Sequence, residues 1–398
     1  MPQRRARPAM DRLPWALLAA ASLGMFAASA SGTTRAPFLI DMARDLSTSL
    51  PLVGNLVAAT SISWGIASAF AGALSDRWGR RPFLIGGPVA LALSMVGVAQ
   101  AGDFVSVAAW AMLAGACSGM FAGAIFAEVS ERASDGQQGR ALGWVMSGQS
   151  LTLLVGVPLA AWVGSYIGWR GVNLCVGVLA AAAAVSLMLT SARRAEPGRA
   201  SGVAAPSLRS ALSGPVLRLL AMGIAERVCY GLTAVYFATF LQVTYDLPLQ
   251  AVALPLALFA TGNILGTIAG GQLADRLGHR LWVFAISMLA SGVAALALFG
   301  WCPNVTTSVA LGFAYVFLNG IARPSLLASL GDTPPHIRGT VMGLNSTSAS
   351  LGWIGAAGLG GWMMASQGFA GFGPLAAGMA VLAAVLALGW AGKGGTPT

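Results

Sequence analysis

The ten residues Gly72-Ala73-Leu74-Ser75-Asp76-Arg77-Trp78-Gly79-Arg80-Arg81 return as Gly271-Gln272-Leu273-Ala274-Asp275-Arg276-Leu277-Gly278-His279-Arg280, half of the 398-residue chain later. Both copies lie between long apolar segments. A charged, glycine-containing turn that occurs once in each half of an apolar chain restricts the fold to two similar membrane bundles in tandem. In such an arrangement the functional site lies where the halves meet.

The composition removes the soluble alternatives. The chain is 56% hydrophobic and 9% charged, against roughly 25% charged residues in a soluble globular domain. A membrane crossing takes roughly 20 apolar residues. About twelve such spans can be read, starting near Leu13, Leu50, Pro82, Phe104, Ala141, Val172, Val216, Ala251, Leu281, Thr307, Gly339 and Phe369. They are expected to be helices, because lipid offers no partner to open backbone groups. The fold class is therefore all-α membrane protein, two pseudo-symmetric bundles of about six helices each.

The formal net charge is +10. In a soluble protein this would point to nucleic acid; here its placement points to topology. Arg4, Arg5, Arg7 and Arg12, the loop arginines Arg77, Arg80, Arg81, Arg132 and Arg140, the linker arginines Arg193, Arg194, Arg199, Arg209 and Arg218, and Arg276, Arg280, Arg338 and Lys393 fall on one side. Only Arg44 and Arg170 fall on the other. The positive-inside rule then puts both termini in the cytoplasm of a multi-pass protein of the cytoplasmic membrane, with the lipid bilayer as partner and no nucleic acid. The stretch Leu13–Ala30 has the form of a signal peptide, but is expected to stay as the first span, since its loss would break the match between halves. Ser191–Pro215 is rich in Arg, Ser, Gly and Pro and reads as a flexible linker. It separates an N-terminal bundle at 1–190 from a C-terminal bundle at 216–398. The cysteines Cys117, Cys175, Cys229 and Cys302 show no metal or redox spacing.

The repeated loop resembles the signature loop of the major facilitator superfamily, in its place between spans two and three and again between spans eight and nine. Gly139-Arg140 and Arg338-Gly339 are similar to that family's other cytoplasmic punctuation. Gly156-Val157-Pro158-Leu159 followed by Gly168-Trp169-Arg170 resembles the drug:proton antiporter and sugar-efflux branch. One position departs. Proton antiporters of this type carry an Arg in span four, four residues before a Gly; that position falls on Ala111 ahead of Gly115. Proton antiport therefore does not carry over on that residue.

The resemblance implies a cytoplasmic gate made of Gly72, Asp76, Arg77, Gly79, Arg80, Arg81 and Glu128, with Asp275 and Arg276 in the second copy. Asp76 is suited to cap a helix N-terminus, where the dipole favours an anion. The resemblance implies span eleven as that helix. Arg77, Arg80 and Arg81 are placed to meet Glu128 and Glu131. A bare topology anchor with solvated charges is the alternative.

Charges inside spans cost from ~2.5 kcal/mol upward and are usually functional. Four lie well inside: Arg35, Glu226, Arg227 and Arg323, on spans one, seven and ten, which the resemblance implies line a central cavity. Glu226 is the one acid at this depth. It shares a helical stripe with Tyr230, Thr233, Phe237 and Phe240, expected to face that cavity. Neighbours at i and i+1 diverge on a helix, so Glu226 and Arg227 are expected to seek different partners, Arg35 or Arg323 for the glutamate. A structural ion pair is the alternative, and Arg35 also reads as interfacial. Asn319 and Arg323 share a face of span ten, with Pro324 following. Gly115/Gly119/Gly123 and Gly262/Gly266/Gly270 are small-residue stripes for close helix packing.

No GxxxxGK[ST] loop is present, so transport driven by ATP is not expected. Neither are a cofactor, a metal site or an enzymatic activity. The reading is a secondary carrier for a small-molecule substrate: proton-coupled efflux of a drug-like or sugar-like compound through Glu226, or, alternatively, carriage of an organic anion with Arg227 and Arg323 as counter-ions.

Overall fold

The computed structural model describes residues 14–132, 137–191, 213–277, 279–301 and 303–391. Most of the expected linker, the basic N-terminal tail, Gly278 and Cys302 lie outside them. The described residues are almost entirely helical. The first bundle comprises α1 (Trp15–Thr33), α2 (Leu39–Asp45), α3 (Leu50–Gly54), α4 (Leu56–Trp78), α5 (Arg81–Gln100), α6 (Phe104–Arg132), α7 (Gln138–Leu151) and α8 (Val157–Thr190). The second comprises α9 (Gly214–Tyr245), α10 (Ala253–Arg276), α11 (Arg280–Gly300), α12 (Val305–Gly331), α13 (Pro335–Gln367) and α14 (Phe372–Ala391).

Among the described residues, ten helical segments are long and apolar enough to cross a membrane. Two of them, Arg140–Thr190 with 51 residues and Val341–Gly389 with 49, have the length of two crossings. Each is interrupted at a glycine with a left-handed backbone, Gly168 at φ 70° and Gly368 at φ 64°, a conformation in which a Cβ would be strained. Ten segments with two of double length accommodate the expected twelve crossings. Leu93, Val105, Leu189, Val293 and Val385 are among many large apolar side chains left exposed around the bundles, as lipid contact requires.

The glycine stripes act as expected. A Cβ on Gly119 would lie 2.5 Å from the carbonyl oxygen of Trp64, and one on Gly123 would lie 2.6 Å from Ala71. Thus α6 lies backbone to backbone on α4. In the second bundle Gly262, Gly266 and Gly270 of α10 lie against the carbonyls of Phe313, Phe317 and Ile321 on α12. The same crossing is built twice, once per half.

The bundles meet at the far end, opposite Trp15 and Gly214. Gln242 at the end of α9 donates to the Pro37 carbonyl at 3.0 Å, and Gln250 donates to the Tyr166 hydroxyl at 3.3 Å. The Tyr236 ring packs on Gly54, and Gly361 packs beside the Pro51 carbonyl. Asp45 pins α2 to α8 there, accepting from Trp169 Nε1 at 2.9 Å and Arg170 at 3.1 Å.

Candidate functional site

Apolar residues surround Glu226 along α9: Ala225, Val228, Cys229 and Leu232 are all buried. The glutamate side chain is 0% exposed. A lone carboxylate in that place would be strongly unfavourable, and three charge-assisted hydrogen bonds offset the cost. Arg227 donates Nε to Oε2 at 2.7 Å and Nη2 to Oε1 at 2.5 Å. Arg323, from α12, donates Nη1 to Oε2 at 3.2 Å.

The expectation that Glu226 and Arg227 part company is therefore corrected. Their Cβ atoms do diverge around the helix. The arginine stem is nonetheless long enough to fold back, and its planar fork matches both carboxylate oxygens. Arg323 is the second partner, as one alternative had it, and Arg35 is not. The Arg227 guanidinium also lies over the Tyr230 ring, 4.8 Å from its centroid. Tyr230 in turn meets Trp353 of α13 edge-on at 5.8 Å and Phe259 of α10 at 6.2 Å. Gly352 packs on the Arg227 Cβ and lets α13 approach α9 at this level. The Arg227 side chain is 11% exposed and that of Arg323 28%. The acid is sealed, and the cationic side of the cluster, one charge in excess, reaches open space.

Two other expectations change. The stripe of Tyr230, Thr233, Phe237 and Phe240 faces no cavity; all four are buried. Phe237 stacks on Phe259 at 5.3 Å, and Phe240 meets Phe299 at 5.1 Å and Phe369 at 5.3 Å. The stripe is the aromatic core of the second bundle. Asn319 shares no chemistry with Arg323. It is buried, and its amide points to the Met288 sulfur on α11 at 3.7 Å. Trp353 and Gly352 escaped the sequence reading. The one signal was a glycine beside a tryptophan inside an apolar span.

In the first bundle Arg35 stands between α1 and the 3-10 turn Ala36–Phe38 and is buried, 3% exposed. Its Nη1 donates to Thr60 Oγ1 at 3.2 Å, and it lies within the protein rather than on its surface. Thr60 is also the residue on whose carbonyl Gly115 packs. Ala111, one turn before Gly115, is 0% exposed. The buried guanidinium beside Thr60 thus comes from the stretch just after α1, and the position on α6 where an Arg was looked for is the buried Ala111.

The signature loop turns at Gly79, φ 83°. Arg80 lies 4.0 Å from Glu128, which Arg132 also pairs with. Arg77 is exposed. Contrary to expectation, among the described residues Arg77 and Arg81 make no ion pair with Glu128, whose partners are Arg80 and Arg132. In the second copy Asp275 and Arg276 are exposed, and Arg280 bonds Asp332 at 2.5 Å. Each copy thus ties the start of one helix to an acid near the end of the next in its own bundle. The surroundings of Gly72 and the side chains of Asp76 and Glu131 lie outside the described residues.

A tandem helical membrane fold, a repeated signature loop and an ionic cluster sealed within one bundle define a membrane carrier. The sequence profile of the Major Facilitator Superfamily matches residues 21–280 and 229–397, and the chain belongs to that family of transporters. It is similar to the chloramphenicol resistance protein of Streptomyces lividans, 28% identical over 382 residues, covering 87% of this chain and 93% of the relative. It is also similar to multidrug resistance protein 2 of Bacillus subtilis, 26% identical over 325 residues (78% and 79%), and to the inner membrane transport protein YajR of Escherichia coli, 25% identical over 352 residues (84% and 73%).

Proposed function

We propose that the protein is a secondary carrier of the cytoplasmic membrane that exports a small, drug-like or sugar-like organic molecule in exchange for protons. Both termini lie in the cytoplasm, and bundles at 1–190 and 216–398 move about a linker at 191–215. The supporting observation is the fully buried Glu226 carboxylate, held by guanidiniums from two different helices. A movement that withdraws Arg323 removes one of the two cations that hold the buried carboxylate in its charged form, and so favours a proton on Glu226. Return of Arg323 expels that proton. Relatives named for drug resistance support export.

Reconstituted vesicles test this reading with chloramphenicol as probe. Glu226→Gln should abolish accumulation driven by a pH gradient and keep exchange at equal pH. Accumulation that still follows the gradient in Glu226→Gln would end the proposal. A second reading, carriage of an organic anion, draws support from the surplus cation and the part-exposed Arg323 side chain.

A further inference from the structure

Arg227 holds Glu226 with one edge of its guanidinium, the edge formed by Nε and Nη2. That edge matches a carboxylate or phosphate with two parallel hydrogen bonds. Arg35 carries the same edge in the other bundle. Its Nε and Nη2 are both buried and have no hydrogen-bond acceptor among the described residues, and no acid pairs with it there. A guanidinium 3% exposed with a single hydrogen bond, to Thr60, is a costly arrangement. Protein encloses the guanidinium in this conformation. Two residues on, Pro37 receives the Gln242 hydrogen bond that joins the bundles. An opening of the far end would break that bond and part the 3-10 turn Ala36–Phe38, which follows Arg35 directly, from α9.

We propose that Arg35 is an anion-binding residue of the transport pathway. Its Nε–Nη2 edge takes the carboxylate or phosphate of a transported small molecule when the far end opens. The assignment rests on the carrier reading and favours substrates with one negative charge on a compact organic body. Thr60 fixes the guanidinium through Nη1 and leaves the two-donor edge for the ligand.

Purified full-length protein is titrated with benzoate and with benzamide, and with sodium phosphate against sodium chloride at equal ionic strength, while thermal unfolding is followed. Benzoate and phosphate should stabilise the wild type, and benzamide should not. Arg35→Gln should weaken apparent benzoate affinity roughly tenfold or more. Arg35→Lys, which keeps the charge and loses the fork, should also weaken it and covers the case in which Arg35→Gln fails to fold. Gln242→Ala should tighten benzoate binding by populating the open far end. A wild type indifferent to both anions overturns the proposal. So does benzoate binding that survives in Arg35→Gln or Arg35→Lys, or is lost only in Arg323→Gln, or is unaltered in Gln242→Ala. PH-driven accumulation through Glu226 is read by a different assay, so either idea can fail alone.

Discussion

Arg227 grips the residue immediately before it: both oxygens of Glu226 accept from one guanidinium, at 2.7 and 2.5 Å, while Arg323 closes on the same carboxylate from α12. Removing the acid strands two cations in an apolar bundle. Glu226→Ala should therefore lose about 3–5 kcal/mol, the cost of breaking a buried pair. Glu226→Ala combined with Arg323→Gln should lose less than the sum of the single changes. Thermal unfolding of the four proteins as a double-mutant cycle checks this; additive losses would mean that the three groups do not act together.

Arg323→Gln also separates the two substrate readings. If the cluster's surplus charge recognises anions, the variant should weaken benzoate binding roughly tenfold and leave benzamide unchanged. An equal fall for both compounds, together with a lower unfolding temperature, marks Arg323 as a structural counter-ion.

The repeated loop yields a test at Asp76. As the expected cap of a helix in the opposite bundle, it should hold the terminal end of the molecule shut in one state. Asp76→Asn should cut flux while the protein stays inserted, and should raise the labelling of cysteines introduced near that end. Wild-type flux with unchanged labelling would remove the gate.

Much of this was legible in the sequence, and the reasons differ by feature. The glycine stripes were readable because glycines at every fourth position put bare backbone on one helix face. The buried charges were readable because they interrupt apolar runs. Their pairing was not, because an arginine stem can turn back along its own helix and spacing alone does not say so. The aromatic stripe after Glu226 was correctly grouped on one face. Periodicity does not say whether that face meets a cavity or another helix, and Phe259, Phe299 and Phe369 from neighbouring helices fill it.

The stripes themselves separate close approach from mere helix preference. Gly119→Ala drives a methyl into the Trp64 carbonyl and should cost about 1–3 kcal/mol, as overpacking does. Gly86 of α5 has open space around its missing Cβ, so Gly86→Ala should be neutral or stabilise by up to about 1 kcal/mol. Unfolding temperatures of the two variants should move in opposite directions or differ clearly.

At the start of α6 Asp103 accepts from the Ser106 hydroxyl at 2.6 Å and from its backbone N–H at 2.9 Å. These bonds hold its carboxyl below the usual aspartate value, the hydroxyl contributing most. A lowered folded-state value means that the stabilisation is complete above the unfolded value and fades as pH falls through the folded one. Asp103→Ala should therefore unfold at a lower temperature than wild type at pH 7, with the gap closing at strongly acidic pH. A gap independent of pH would assign the effect to helix propensity alone.

Glu226, Arg227 and Arg323 all belong to the second bundle. Rocking of two rigid bodies preserves every distance within each of them, so it cannot by itself part this carboxylate from either guanidinium. If Glu226 exchanges protons as proposed, its loading and unloading must bend the second bundle internally. The natural place is α12 at Pro324, directly after Arg323, where the proline ring removes one rung of the helical ladder. The chain would then hold two machines in series, a coarse one that exposes the pathway and a fine one, a single flexing helix, that sets its charge.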